Sequence, residues 1–195
     1  APPSGYVGNA QDCNDSDTSV NPDVEEVCNN GVDDNCDESP GACELAWAIL
    51  LADADADISG EHYSDTAGYS VANAGDVNGD GYEDLFIGAP GNDSWSGAAY
   101  VLFGPITGGE WNLSDADLKL TGEAAGDQAG WSLAGVGDVN GDGFDDLVVG
   151  ALYEDSGGTD AGAVYILYGP LTTGEVSLSD ADLKLTGEAA GDQAG

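Results

Sequence analysis

Arginine is absent from this chain of 195 residues, and lysine occurs only twice, at Lys119 and Lys184. Nucleic-acid binding needs a positive stripe, and docking on an anionic membrane needs basic clusters, so neither partner fits. Long apolar runs are also missing. The longest is Leu45–Ala52, far short of the roughly 20 residues that span a bilayer. The start, Ala1-Pro2-Pro3-Ser4, lacks the basic and apolar segments of a signal peptide, as a mature N-terminus left after cleavage would. Cysteine is confined to Cys13, Cys28, Cys36 and Cys43, and the one histidine is His62.

What is abundant is acid: 38 Asp and Glu give a formal charge of −36. Such density points to disorder, to adaptation to salt, or to a store of metal ligands. Disorder fits poorly, because 41% of the chain is hydrophobic, with four Trp and eight Tyr. The 31 Gly among short apolar runs indicate many turns and short strands.

Repetition decides the architecture. Residues 113–130 read LSDADLKLTGEAAGDQAG and recur unchanged at 178–195, with a weaker copy at 51–68. Between the copies stands a second shared block, GDVNGDGYEDL at 75–85 and GDVNGDGFDDL at 137–147. Each unit then offers four strand candidates. The first set is Tyr69–Ala74, Leu85–Ala89, Ala98–Phe103 and Asp117–Leu120; the second is Trp131–Val136, Leu147–Ala151, Ala163–Tyr168 and Asp182–Leu185. Helical spacing is not sustained, although Glu44–Leu51 has room for a short helix. Four short strands in about 60 residues is the size of a propeller blade. The expected fold is therefore all-β, built of four-stranded antiparallel propeller-type blades. Units lie near 51–112 and 113–177, with a partial one at 178–195, in a region 44–195 that follows an Asp/Cys-rich segment at 1–43.

Within the shared block, oxygen donors recur at alternate positions. Asp76, Asn78 and Asp80 stand at loop positions one, three and five, Gly81 at six, Tyr82 at seven and Asp84 at nine; the second loop repeats this with Asp138, Asn140, Asp142, Gly143, Phe144 and Asp146. Calcium takes six to eight hard oxygens, and a tight loop turns alternate side chains inward. Position seven offers only a backbone carbonyl, so an aromatic is tolerated. Three carboxylates per loop repel one another without a cation. An EF-hand needs Glu at position twelve, where Ile87 and Val149 stand here, so that reading fails. The bland alternative is a pair of solvated Asp/Asn/Gly turns; duplication at the same place in two repeats favours calcium.

The block GDVNGDGxxDLxxGA, preceded by Ala-Gly-Tyr-Ser or Ala-Gly-Trp-Ser and followed by a Tyr-rich strand ending in Gly-Pro, resembles FG-GAP repeats. These build the β-propeller of integrin α-subunits and of many bacterial surface proteins. The resemblance covers roughly 51–195. It implies that each loop joins the first two strands of a blade and holds one Ca2+, through Asp76, Asn78, Asp80, Tyr82 and Asp84, and through Asp138, Asn140, Asp142, Phe144 and Asp146. The chain departs from the family pattern in packing positions: Ala67-Gly68-Tyr69 and Ala129-Gly130-Trp131 replace the Phe-Gly element, and Leu152 stands where the first unit has Pro90.

Residues 12–38, DCNDSDTSVNPDVEEVCNNGVDDNCDE, are similar to the MopE-like Asp/Cys-rich metal-binding motif of bacterial surface proteins. The even cysteine count points to disulfides and an oxidising compartment, with the pairing open; a zinc site is the alternative, without a C-x2-C pair or a nearby His. The family label mentions copper, but the segment has neither His nor Met, and Asp and Asn oxygens favour calcium. The candidate ligands are Asp12, Asn14, Asp15, Asp17, Glu26, Asp33, Asn35 and Asp37, for one or two further Ca2+. A disulfide-stapled acidic loop without a fixed ion is the other reading.

No catalytic constellation recurs. His62 faces Ala124 and Ala189 in the other copies, which makes it a surface or packing residue, and no phosphate-cradling loop carries a Lys. The chain is expected not to be an enzyme. Asn14, Asn92 and Asn112 fit the N-glycosylation pattern. A closed propeller needs at least four blades, so two loop-bearing units leave open edges. A longer protein, a fragment, or a subunit that completes its neighbour would each account for that. The expected function is a calcium-binding, extracellular or cell-surface structural or adhesive protein, bacterial and self-associating through open blade edges. A propeller module that binds a protein or glycan ligand is the alternative.

Overall fold

The computed structural model describes residues 54–195; the Asp/Cys-rich segment with its four cysteines and the helix candidate Glu44–Leu51 lie outside the described residues. The described residues from Asp55 onward form one compact unit. They carry eleven short strands: β1 (Ala56–Ser59), β2 (Val71–Gly75), β3 (Asp84–Ala89), β4 (Ala98–Leu102), β5 (Gly109–Asn112), β6 (Leu118–Thr121), β7 (Ala129–Gly137), β8 (Asp146–Ala151), β9 (Ala163–Leu167), β10 (Gly174–Ser177) and β11 (Leu183–Thr186).

Two blades follow the repeat. The first runs β2-β3-β4-β6 and the second β7-β8-β9-β11, and each neighbouring pair within a blade is antiparallel. β1 is the counterpart of β6 and β11 in the weak first copy. The blades share a core in which Phe86, Val101, Leu118 and Leu120 meet Leu147, Val149, Tyr165 and Leu167. β4 is buried along its whole length, so its sequence, AAYVL, is apolar without alternation. The backbones of the two blades approach closely. A Cβ at Gly88 on β3 would collide with the Gly130 carbonyl and with Ser70 Oγ, and Ser70 Oγ donates to that carbonyl at 2.8 Å. Only glycine fits there.

The structure corrects one expectation. Each unit holds a fifth strand, β5 or β10, and it is parallel. β5 pairs with β1, and β10 pairs with β6, so each fifth strand extends the sheet of the preceding unit. Sequence periodicity missed these strands because GEWN and GEVS are half exposed and show no apolar alternation. Their register is set from outside: Gly109 N donates to Asp55 O and Gly174 N to Asp117 O, both at 2.8 Å. The result is a chain of sheets, each latched to the one before it.

Candidate metal-binding loops and the blade junction

The two Asp-rich loops connect β2 to β3 and β7 to β8, the first two strands of each blade. Their geometry is duplicated. Asp76 Oδ1 accepts from Gly79 N at 2.8 Å and Asp80 N at 3.0 Å, while Oδ2 accepts from Gly81 N at 2.9 Å. Asp138 does the same with Gly141 N at 2.6 Å, Asp142 N at 3.0 Å and Gly143 N at 2.8 Å. Asn78 Oδ1 takes Asp80 N and Asp80 Oδ1 takes Tyr82 N; Asn140 and Asp142 repeat both bonds. The glycines Gly79, Gly81, Gly141 and Gly143 have positive φ, which lets successive N–H groups point to one side. Backbone N–H groups, that of Gly143 foremost, hold the Asp138 carboxyl below its usual range, against a smaller opposing effect of burial.

Position nine is a different kind of group. Asp84 and Asp146 are buried at the blade edge. Asp84 Oδ2 accepts from Val77 N at 3.0 Å and Oδ1 from Gly104 N at 2.8 Å. Asp146 accepts from Val139 N at 2.8 Å and Gly169 N at 2.9 Å. These carboxylates tie each loop to the Gly-Pro turn that ends the third strand of its blade. Burial pushes the Asp84 carboxyl up, the Gly104 and Val77 N–H groups hold it back, and Asp80 and Asp76 add to the rise.

The donor set fits a hard divalent cation. Every side-chain donor in the loops is oxygen. Asp76 Oδ2, Asp138 Oδ2 and both oxygens of Asp84 and Asp146 accept a single N–H and keep a free lone pair, and the carbonyls of Tyr82 and Phe144 complete the set. No lysine pairs with the loops: among the described residues, Lys119 pairs with Glu61, and Lys184 with Glu123 and Glu154. The three loop carboxylates therefore have no protein counter-charge. They do not already converge on one point. Among the described residues, the group of His and acidic side chains whose ligand atoms lie within 4.8 Å of one another is instead Glu61, His62 and Asp65.

That trio belongs to the blade junction, which sequence reasoning missed. It lines a cavity of about 490 Å3 together with Asn92, Lys119 and Glu175. Lys119 Nζ lies 2.6 Å from Glu61 and 5.3 Å from the centre of the Tyr100 ring. Asn92 Nδ2 donates to Asp65 at 3.0 Å and to Tyr100 OH at 3.3 Å, so this glycosylation candidate is buried. His62 is largely exposed, with Nδ1 3.4 Å from Asp65. The next junction repeats the plan with Lys184, Glu123, Asp127 and Tyr165, but Glu154 replaces Asn92. Among the described residues, Tyr165 OH and Glu154 Oε2 have no hydrogen-bond partner there. Burial pushes the Asp127 carboxyl up although Ala124 N donates to it, and Glu154 adds to the rise. The repeated Glu61, Glu123 and Glu188 were the available signal.

Comparison with known proteins agrees with this geometry. The FG-GAP repeat family model matches residues 67–102 and 129–167. The Cu-binding MopE family model, described as "Putative metal-binding motif", matches residues 12–44. The chain is 40% identical to integrin alpha-7 of Homo sapiens over 104 residues, which is 51% of this chain and 8% of that protein. It is 38% identical to integrin alpha-5 of Xenopus laevis over 119 residues, 57% of this chain and 11% of the relative. Integrin alpha-PS5 of Drosophila melanogaster is 40% identical over 114 residues, 56% and 10% of the two chains. The alignments thus span about a tenth of the length of these relatives. The chain is therefore similar to FG-GAP repeats over residues 67–102 and 129–167, and to the MopE-like metal-binding motif over residues 12–44.

Proposed function

We propose that this chain, with its two FG-GAP-like repeats, is a calcium-binding adhesive module of an extracellular or cell-surface protein, without a catalytic step of its own. One observation carries the reading: two loops of the same geometry each present three carboxylates that no lysine neutralises. When bound, Ca2+ supplies the missing positive charge. Asp76 and Asp138 are then the pre-aimed donors, each fixed by three N–H groups, and Asn78, Asp80, Asn140 and Asp142 are the side chains that close around the site. Asp84 and Asp146 hold the loop to its blade and offer their free lone pairs. The MopE-like segment adds one or two further calcium ions. A bacterial surface is the setting in which this combination of motifs is expected.

Self-association is part of the proposal. Leu183 and Leu185 on β11 are 40% and 52% exposed, whereas their counterparts Leu118 and Leu120 on β6 are buried under the second blade. The β11 surface therefore has the sequence that seats one repeat on another, and it suits a further copy of the repeat. The alternative, a module for a protein or glycan ligand, is favoured by the exposed Tyr69 ring, which packs against Trp131 at a 42° tilt with centroids 4.5 Å apart.

Isothermal calorimetry of Ca2+ into chelator-stripped protein tests the first reading. The double variant Asp76→Ala, Asp138→Ala is expected to lose two equivalents of binding; unchanged stoichiometry would reject the loop sites. Light scattering in calcium separates the two partners, since rods or rings favour assembly and a discrete monomer favours the ligand module.

A further inference from the structure

We propose that Asp145 couples the two loops, so that cation occupancy of the second loop (Asp138–Asp146) tightens cation binding by the first (Asp76–Asp84). The inference rests on the reading of both loops as calcium sites.

Asp145 stands at position eight of the second loop, between the carbonyl donor Phe144 and the clasp Asp146. Its carboxylate reaches into the other loop. Oδ2 accepts from Asp76 N at 2.8 Å, and the backbone contact is returned by Asp145 N to Asp76 O at 3.4 Å. Asp76 is the residue whose carboxylate gathers three N–H groups of the first loop. Phe144 adds a second grip, because its ring lies against Gly79, where a Cβ would collide with it. Leu171 N, just past the second Gly-Pro turn, donates to Val77 O at 2.7 Å. Three residues of the second unit thus hold positions one, two and four of the first loop.

The relation has a direction in the chain. Glu83, the counterpart of Asp145 in the first loop, turns to Asn73 Nδ2 of its own blade at 2.7 Å. A cation held by Asp142, the Phe144 carbonyl and Asp146 restrains position eight between them. That restraint fixes Asp145, and through it the backbone of Asp76. The first loop then has less freedom to lose when its own cation binds, and lower ordering cost appears as higher affinity. Linkage requires the same factor in reverse.

The test is Ca2+ calorimetry together with Tb3+ luminescence on the full chain, with excitation through Tyr82, which sits inside the first loop. Disabling the second loop with Asp138→Asn, Asp142→Asn is expected to weaken the first loop by about fivefold or more, the lower end of ordinary coupling. Asp145→Ala is expected to produce the same loss at the first loop while two sites still bind. Asp145→Asn, whose amide oxygen can still accept from Asp76 N, retains most of the affinity. Near-UV circular dichroism checks that each variant keeps its packing. Wild-type affinity of the first loop in Asp145→Ala, or indifference to the second loop's loss, overturns the coupling and leaves the calcium sites standing. Failure of the wild type to bind at either loop overturns both.

Discussion

Lys119 and Lys184 hold the same place in successive blades, each with its ammonium over a tyrosine ring, 5.3 Å from Tyr100 and 5.2 Å from Tyr165. A chain with 38 acidic residues spends its only two lysines at the blade junctions. Lys119 Nζ meets Glu61 at 2.6 Å; Lys184 Nζ meets Glu123 at 2.8 Å and the buried Glu154 at 2.9 Å. These contacts bridge consecutive copies of the repeat, and they leave the loops without protein cations.

Replacing Lys184 with Ala strands a buried carboxylate. Charged hydrogen bonds contribute about 1.5–3 kcal/mol, so a loss of about 2 kcal/mol is expected in thermal unfolding at fixed calcium. Lys119→Ala is expected to cost less, because it releases a single carboxylate. Equal effects at the two positions would contradict the pairing.

Acid should weaken the second junction through Glu154. Burial pushes its carboxyl up, but Ser156 and Lys184 outweigh that and hold it below its ordinary value of 4.5. The folded state then favours the ionised form. Its contribution is fully present above the ordinary value and is lost as pH falls through the lowered folded value. Melting temperatures followed downward from neutral pH should show wild type and Glu154→Gln converging as Glu154 protonates. A constant gap between them would count against it.

Asp146 should prove structural even without metal. Its two oxygens satisfy Val139 N and Gly169 N, and a buried N–H left unpaired costs about 1–3 kcal/mol. Asp146→Ala is therefore expected to lose about 2–5 kcal/mol in urea unfolding with chelator present. An effect seen only in calcium would make Asp146 a ligand and nothing more.

The loops were legible because Asp, Asn and Gly at alternate positions carry their own geometry. The blades were legible because the copies repeat. The junction was not. Lys119 and Glu61 are 58 residues apart, and Lys184 and Glu123 are 61 apart, so their meeting depends on which strand faces which segment of the preceding copy. β5 and β10 were hidden for a related reason: GEWN and GEVS become strands only because another unit's edge accepts them. Asp145 and Glu83 look equivalent as acids at position eight, yet one crosses to the neighbouring loop and the other stays home.

The open edge gives its own expectation. Leu183→Lys with Leu185→Lys places charge on the apolar surface of β11, which is exposed in this chain but buried in its β6 counterpart. Light scattering in calcium should show smaller particles for the variant than for the wild type. Identical sizes would place any self-association elsewhere.

Differential scanning calorimetry in calcium and then in excess EDTA tests the central claim most directly. Two loops, each at a calcium concentration about 100-fold above its Kd, would together add about 5 kcal/mol to folding. For a unit of this size that corresponds to a melting temperature about 10–20 °C higher in calcium than in chelator. The same melting temperature in both would contradict calcium-clamped blades.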